Sequence, residues 1–355
     1  MAHRLSLTGS ADYLYRSFFS YSGLRSMKTD LQEGTVMHCW VPKSQKASKP
    51  NLMLVHGFGA NAMWQYGDLL HHLMPRYNIY VPDLLFFGES WTRRPNRSEE
   101  FQAQCLRRLM EAHGVGRLSV VGISYGGFVS YSMAAQFPEL VEKVVVCCSG
   151  VCLEEKDLKE GLFEVADLEE VASILMPQTP QKLRELIKFA FAKPVKGVPS
   201  CFLSDYIHVF CTEFLAQKKE LIHALTANRK LDKIPKIEQP TLIIWGEQDK
   251  IFPLELGFRL QRHIGENARI EVIKNAGHAL NIEKPREFAK HLKAFLIENS
   301  SSPRSNLCST LSLNWSWSWS SNSTSYSNSN SSSCSNTNPY SLSSLRQKNF
   351  FWPSP

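Results

Sequence analysis

A serine between two glycines, in Gly122-Ile123-Ser124-Tyr125-Gly126, is the residue of this chain best placed to act as a nucleophile. It follows an apolar run at 118–121 and precedes a stretch rich in small residues, a pattern that indicates a strand, a sharp turn and a helix. Gly122 and Gly126 leave room for such a turn, which lifts the serine oxygen out of the sheet edge. The pattern predicts acyl transfer to water, with Ser124 as the attacking group.

A base and an acid follow the serine in chain order. Asp249 comes after the apolar run 242–245, and His278 comes after the short strand pattern 270–273. Because a free serine hydroxyl is a poor nucleophile, it needs a base, and we predict that His278 accepts its proton while Asp249 orients the imidazole. Glu247, two residues before Asp249, is the competing acid.

The developing negative charge on a carbonyl oxygen needs donors that are already in place. His56-Gly57-Phe58-Gly59 follows the apolar run 52–54, and its two glycines let the backbone of that turn approach a substrate closely. The backbone amides of Phe58 and of Tyr125, the residue after the nucleophile, are the expected pair of donors.

These motifs resemble the α/β-hydrolase superfamily over roughly residues 25–298, because Ser, Asp and His each follow a strand in the order of that superfamily. The chain looks most like its capped members, which include meta-cleavage-product C–C hydrolases and monoacylglycerol-lipase-like esterases. The G-x-x-D spacing of that family after Gly246 favours Asp249 over Glu247. The resemblance also implies that His56 orders its loop.

The segment 83–90 is similar to the D-x-x-G-x-G-x-S loop of these proteins, with Phe87 in place of one glycine, and Asp83 is expected to order the loop. A serine at position 124 disfavours epoxide hydrolases and haloalkane dehalogenases, which carry an aspartate there. We find no phosphate-binding or dinucleotide fingerprint and no metal-ligand pattern among the histidines, so we expect no cofactor and no metal.

Alternating strand and helix patterns predict the elements that hold these residues. An antiparallel hairpin around 35–41 is followed by strands at 51–55, 79–81, 118–122, 143–148, 241–245 and 269–273, with helices at 64–74, 98–113, 125–137 and 285–299. This order predicts an α/β fold with a mostly parallel sheet of the eight-stranded hydrolase type and helices on both faces. Ser124, Asp249 and His278 would then share the carboxyl edge of the sheet.

The strand pattern stops between about 150 and 235, where Leu221, Ile222 and Leu225 recur at helical spacing. We predict a helical cap, 150–235, inserted after the sixth strand of a core formed by 29–149 and 236–298. An N-terminal helical segment, 1–28, would precede this core, and a disordered Ser/Asn-rich tail, 299–355, would follow it. Most of the cap aromatics are expected to form the cap's own core, with a minority lining an apolar pocket: Phe163, Phe189, Phe191, Phe202, Tyr206, Phe210 and Phe214.

The bulk composition excludes several partners. The net charge is +7, of which three positive charges lie after residue 298, and this balance is too modest to predict nucleic-acid binding. The chain has nine scattered cysteines and no apolar run of transmembrane length, so we expect free thiols in a reducing compartment and no integral membrane span. Cytoplasmic location is the expectation; an organellar location through the basic N-terminus is the alternative.

The leading hypothesis is a serine hydrolase that cleaves a small or medium apolar carboxylic ester, such as a monoacylglycerol. Two alternatives stay open: C–C bond hydrolysis of meta-cleavage type, and a hydrolase-derived small-molecule receptor with slow turnover. The alternating Trp315, Trp317 and Trp319 of the tail raise a further possibility, binding of a partner or a membrane surface. The oligomeric state stays open.

Overall fold

A computed structural model of the chain describes residues 6–298. The predicted disordered tail and its tryptophans lie outside these residues. The strands are β1 (Leu24–Asp30), β2 (Thr35–Pro42), β3 (Asn51–Val55), β4 (Asn78–Pro82), β5 (Trp91–Thr92), β6 (Leu118–Ile123), β7 (Val141–Cys147), β8 (Thr241–Gly246) and β9 (Ala268–Ile273).

One sheet contains all of these strands, in the order β1-β2-β4-β3-β6-β7-β8-β9, with the two-residue β5 paired to β2. β1 and β2 are antiparallel, β2 is antiparallel to β4, and the neighbours from β4 to β9 are parallel. Strands β6 and β8 are buried along their whole length, as expected where helices cover both faces of a parallel sheet. The predicted α/β fold is confirmed.

The helices alternate with the strands. They are α1 (Leu7–Tyr21), α2 (Ala62–Leu73), α3 (Glu99–Ala112), α4 (Tyr125–Gln136), α5 (Glu155–Lys159), α6 (Leu168–Leu175), α7 (Pro180–Ala190), α8 (Ser200–Phe210), α9 (Leu215–Thr226), α10 (Leu254–Ile264), α11 (Leu280–Glu283) and α12 (Pro285–Glu298). Among the described residues, no helix is both long and apolar enough to span a membrane. Helix α4 buries nearly all of its residues, because it lies directly behind the serine turn and packs on the sheet.

The N-terminal segment is shorter as a helix than predicted. The hydroxyl oxygen of Ser6 accepts the Gly9 N–H at 2.8 Å and caps α1, which ends at Tyr21. Gly23 then turns the chain at φ +92°, and β1 begins at Leu24. The prediction of a helical segment over 1–28 is therefore wrong for 24–28, where the chain pairs with β2 along the edge of the sheet.

Between β7 and β8, residues 155–226 form helices α5 to α9, and no strand interrupts them among the described residues. β7 is the sixth strand when the two-residue β5 is not counted, so the helices lie where the cap was predicted. Three of the seven cap aromatics pack against residues outside the cap. Tyr206 and Phe210 stack against Trp64 of α2, and Phe214 stacks against Phe86.

Candidate active site

Ser124 lies on a turn that its neighbours hold in a strained conformation. Its backbone has φ +53° and ψ −122°, a region that residues with a side chain rarely adopt. A Cβ atom at Gly122 would lie 2.2 Å from the Gly126 carbonyl oxygen, and one at Gly126 would lie 2.2 Å from the Val55 carbonyl oxygen. Only glycine fits these two flanking positions, so the close packing of β3, β6 and α4 fixes the direction of the Ser124 side chain.

The structure brings the three predicted side chains into one hydrogen-bonded row. His278 Nε2 lies 2.9 Å from Ser124 Oγ, and His278 Nδ1 lies 2.9 Å from Asp249 Oδ2. The side chain of Asp249 is fully buried, while that of His278 is 13 % exposed. A hydroxyl, an imidazole and a carboxylate in this order can pass a proton from the serine to the histidine.

The two candidate acids have different partners. Asp249 Oδ1 accepts the backbone N–H groups of Ile251 and Phe252, both at 2.9 Å, which leaves Oδ2 to face His278. Glu247 is exposed and accepts the N–H of Asn275 at 3.0 Å. The structure therefore places Asp249, and not Glu247, against the imidazole.

The predicted donor pair flanks Ser124. Tyr125 is the first residue of α4, where a backbone N–H has no partner inside the helix, and among residues 6–298 no acceptor is found for the Phe58 N–H. The side chain of Gln65 on α2 holds the Phe58 turn, because it accepts the Gly57 N–H at 2.9 Å and donates to the carbonyls of Gly57 and Phe58. Sequence reasoning missed Gln65, since a glutamine inside a helix carries no signal for such a contact.

His56 links two loops and lies away from Ser124 in the hydrogen-bond network. Its Nδ1 donates to the Gly57 carbonyl at 2.8 Å, while Nε2 accepts the Leu84 N–H at 3.0 Å. This arrangement requires the neutral imidazole, and burial lowers the pKa of His56, which favours the same form. The role expected for His56, ordering its loop, agrees with these contacts.

In the loop at 83–90, the predicted position of the substituted glycine is wrong by one residue. Aligned with D-x-x-G-x-G-x-S, the substituted glycine falls at Phe86 and not at Phe87. Phe86 has φ +73°, in the left-handed region that favours glycine, so the loop keeps the glycine conformation with a phenylalanine in it. Asp83 accepts a hydrogen bond from His38 at 2.8 Å, and a Cβ at Gly88 would clash with its carboxylate.

The thiol of Cys148 lies close to Asp249 and His278. Its sulfur, the Asp249 carboxylate and the His278 ring have ligand atoms within 4.8 Å of one another, so these residues could together contact a metal ion. Asp249 and His278 are already bonded to each other, however, and burial and the nearby Asp249 charge raise the pKa of the Cys148 thiol well above its ordinary value. Since a thiolate is the metal-binding form, this set fits a metal poorly. The seven cysteines among residues 6–298 are free thiols.

An apolar cavity of about 100 Å³ opens in front of Ser124. Phe58, Tyr125 and Phe252 line it from the core, and the cap supplies most of the remaining surface, including Phe163 and Phe189. These two cap aromatics are members of the minority that was expected to line a pocket. The cavity is smaller than the roughly 150 Å³ engineered cavity that takes up benzene, so only a small apolar group fits in it without movement of the cap.

The comparison with protein families agrees with the fold and the motifs. The sequence profile of the alpha/beta hydrolase fold family matches residues 50–285, and the chain belongs to this family. A crystal structure of a candidate lipase from Acinetobacter baumannii superposes with a TM-score of 0.69 over 84% of this chain and 98% of that one. At 23% sequence identity, this likeness shows the shared fold alone.

Two relatives differ in the reaction that their names describe. Monoacylglycerol lipase ABHD6 of Bos taurus is 25% identical over 281 residues, which cover 75% of this chain and 81% of that protein. A 2-hydroxy-6-oxo-2,4-heptadienoate hydrolase of Pseudomonas putida is 27% identical over 258 residues, 69% of this chain and 88% of the relative. Relatives of both kinds support a hydrolase function for this chain and leave its substrate open.

Proposed function

We propose that the protein is a serine hydrolase that cleaves a small or medium apolar carboxylic ester through an acyl-enzyme. The observation that carries the proposal is the continuous row from Ser124 Oγ through His278 to Asp249, with both hydrogen bonds at 2.9 Å. The strained backbone of Ser124 directs its oxygen to this row and toward the apolar cavity.

In the proposed reaction, Ser124 Oγ attacks the ester carbonyl carbon while His278 Nε2 takes the hydroxyl proton. Asp249 stabilises the resulting imidazolium through Nδ1–H, and the N–H groups of Phe58 and Tyr125 bind the oxyanion. When the C–O bond breaks, His278 returns the proton to the departing alcohol. A water molecule then attacks the acyl-enzyme by the same steps, which release the carboxylic acid and regenerate Ser124.

The apolar lining of the cavity supports an acyl group as its occupant, because burying CH₂ groups there contributes about 0.8 kcal/mol each. The name of the bovine relative supports an ester substrate. The name of the Pseudomonas relative favours a second candidate, C–C bond hydrolysis of a diketone-like substrate, which the same row of side chains could serve.

The test compares wild type, Ser124→Ala and the control Ser173→Ala, whose serine lies on the cap surface and donates to a backbone carbonyl. Each protein is treated with a fluorophosphonate and assayed with p-nitrophenyl esters of increasing chain length and with a ring-fission diketone. We expect labelling and ester turnover that vanish only in Ser124→Ala. Labelling with turnover of the diketone alone would establish the C–C reaction, and labelling without repeated turnover would favour a receptor. An unlabelled, folded wild type would refute the proposal.

A further inference from the structure

A second cavity, of about 300 Å³, is also lined by Phe58. Phe58 and Leu175 line both cavities, so the two spaces are neighbours, and the first of them is lined by Ser124 as well. The linings differ in character. The first cavity is almost wholly apolar, whereas the second contains five charged side chains: Asp12, Arg16, Glu89, Glu213 and Lys218.

Lys218 is the unusual residue in this second lining. Lys218 is only 6 % exposed, and its Nζ lies 5.0 Å from the centre of the Phe87 ring. Among the described residues, no carboxylate lies within ion-pair distance of Nζ and no acceptor is found for its N–H groups. Burial lowers the pKa of Lys218, as expected for an ammonium removed from water, and the charge of the exposed Glu213 offsets this shift only in part. Such a group is costly to bury unless something pairs with it.

The other charges of the cavity are already neutralised or solvated. Arg16 lies between Asp12 and Glu89, at 3.1 Å from each carboxylate. Asp12 also accepts hydrogen bonds from Asn61 and Trp64, and Glu89 pairs with Lys28 at 2.7 Å. Glu213 is exposed to water. The ammonium of Lys218 is therefore the buried charge of this cavity that has no ion-pair partner among the described residues.

We propose that the second cavity binds an anionic group, a phosphate or a carboxylate, on the alcohol portion of the ester, and that Lys218 pairs with it. This inference rests on the proposed ester hydrolysis. The acyl chain would lie in the apolar cavity and the alcohol portion would extend past Phe58 into the polar one, so the scissile carbonyl lies between them beside Ser124. An anion would supply the three donors of the ammonium with acceptors and offset the cost of burying its charge.

The experiment measures kcat/KM for three hexanoyl esters with the full-length chain: hexanoylglycerol, hexanoylglycerol 3-phosphate and O-hexanoyl glycerate. We expect wild type to prefer at least one of the two anionic esters over the neutral ester. Lys218→Met keeps the length of the side chain and removes the charge, and it should lower this preference by about 10- to 100-fold, mainly through KM. Whether the phosphate or the carboxylate ester is preferred identifies the group that the cavity takes.

Two variants control for charge and for folding. Lys219→Met removes the same charge from the neighbouring residue, which pairs with Glu169 at 2.5 Å on the cap surface, and should keep the wild-type preference. Glu213→Gln removes a negative charge near Lys218 and should raise the preference. A wild type without anionic preference, or a Lys218→Met that slows all three esters by one factor, would overturn the inference.

Ligand binding separates failure of this inference from failure of the proposed function. Thermal unfolding of Ser124→Ala in the presence of glycerol 3-phosphate or glycerate measures ligand binding in the second cavity without any turnover. Stabilisation that disappears when Lys218→Met is added supports the cavity even if no ester is hydrolysed. Stabilisation by neither anion would overturn the cavity assignment while leaving the Ser124 chemistry intact.

Discussion

The serine turn and the second cavity differ in whether their buried polar side chains have partners. At the serine turn, Ser124, His278 and Asp249 are bonded to one another, and both oxygens of Asp249 have donors. In the second cavity, Lys218 is as deeply buried, yet no ion-pair partner is found for it among residues 6–298. The first arrangement is complete before a substrate arrives, as electrostatic preorganisation requires. In the second cavity, Lys218 gains an ion-pair partner only when an anionic ligand binds, so this cavity is suited to selecting such a ligand.

The two regions also differ in how closely atoms are packed. A Cβ at Gly57 would lie 2.7 Å from Ser124 Cβ, so the core leaves no free space on the Gly57 side of the nucleophile. The cap, by contrast, encloses two cavities that share Phe58 and Leu175 in their linings. We infer that the core determines the reaction and that the cap determines which substrate reaches it.

The largest effect is expected from a substitution that breaks the hydrogen-bonded row of Ser124, His278 and Asp249. Asp249→Asn should lower kcat by about 10⁴-fold, because an amide in place of the carboxylate favours the wrong tautomer of His278 and removes the charge that stabilises the imidazolium. The measurement is steady-state turnover of a p-nitrophenyl ester, with Glu247→Gln as the matched control. A larger loss in Glu247→Gln than in Asp249→Asn would show that the acid is assigned wrongly.

A smaller effect is expected when the packing around the nucleophile changes. In Gly57→Ala the added methyl group collides with Ser124 Cβ and with the Ile123 carbonyl, which displaces either the serine or the Phe58 N–H. Loss of one oxyanion donor costs about 10²–10³-fold in kcat, and we expect a decrease of that order. Gly116→Ala is the control, since no atom lies within 4 Å of the added Cβ. Circular dichroism should show both variants folded; equal activity in the two would refute the steric argument.

The smallest effect concerns the stability of the cap side. Lys218→Met should raise the free energy of unfolding at neutral pH, on the order of 1 kcal/mol, because it removes an unpaired buried charge. Burial lowers the folded-state pKa of Lys218, so the charge opposes folding below that pKa. The gain should therefore shrink as the pH rises toward the ordinary value of 10.5.

Urea unfolding at neutral and alkaline pH measures this difference, with Lys219→Met as the control. A destabilised Lys218→Met would mean that the folded protein already pairs the ammonium. In that case the serine turn and the second cavity would no longer differ in whether their buried polar side chains have partners.

Much of the fold could be predicted because its signals are local. Apolar runs bounded by turn residues predict β3, β6 and β8 within a residue of their observed limits. The N-terminal error has a cause that is not local. Strand β1 is a mostly exposed edge strand with mostly polar side chains, and its strand conformation depends on pairing with β2, which no short window of sequence records.

The packing of the cap is less predictable than that of the core. Its helical spacing predicts helices but not the surface that each helix covers, so the sequence did not show that Tyr206 and Phe210 pack against Trp64. Lys218 did carry a signal. It lies three residues before Leu221, on the same face of α9 as Leu221, Ile222 and Leu225, where a charged residue is out of place.

The sequence by itself determined the candidate chemistry. The flanking glycines of Ser124 and the order Ser, Asp, His after successive strands are local patterns, and parallel strands bring their carboxyl ends to one edge whatever the loops do. Only the tertiary structure decided that Asp249 rather than Glu247 contacts His278, that Phe86 holds the glycine conformation, and that Lys218 is buried beside a cavity. Contacts of these kinds join elements distant in the chain, so they exist only once the cap and the core have packed together.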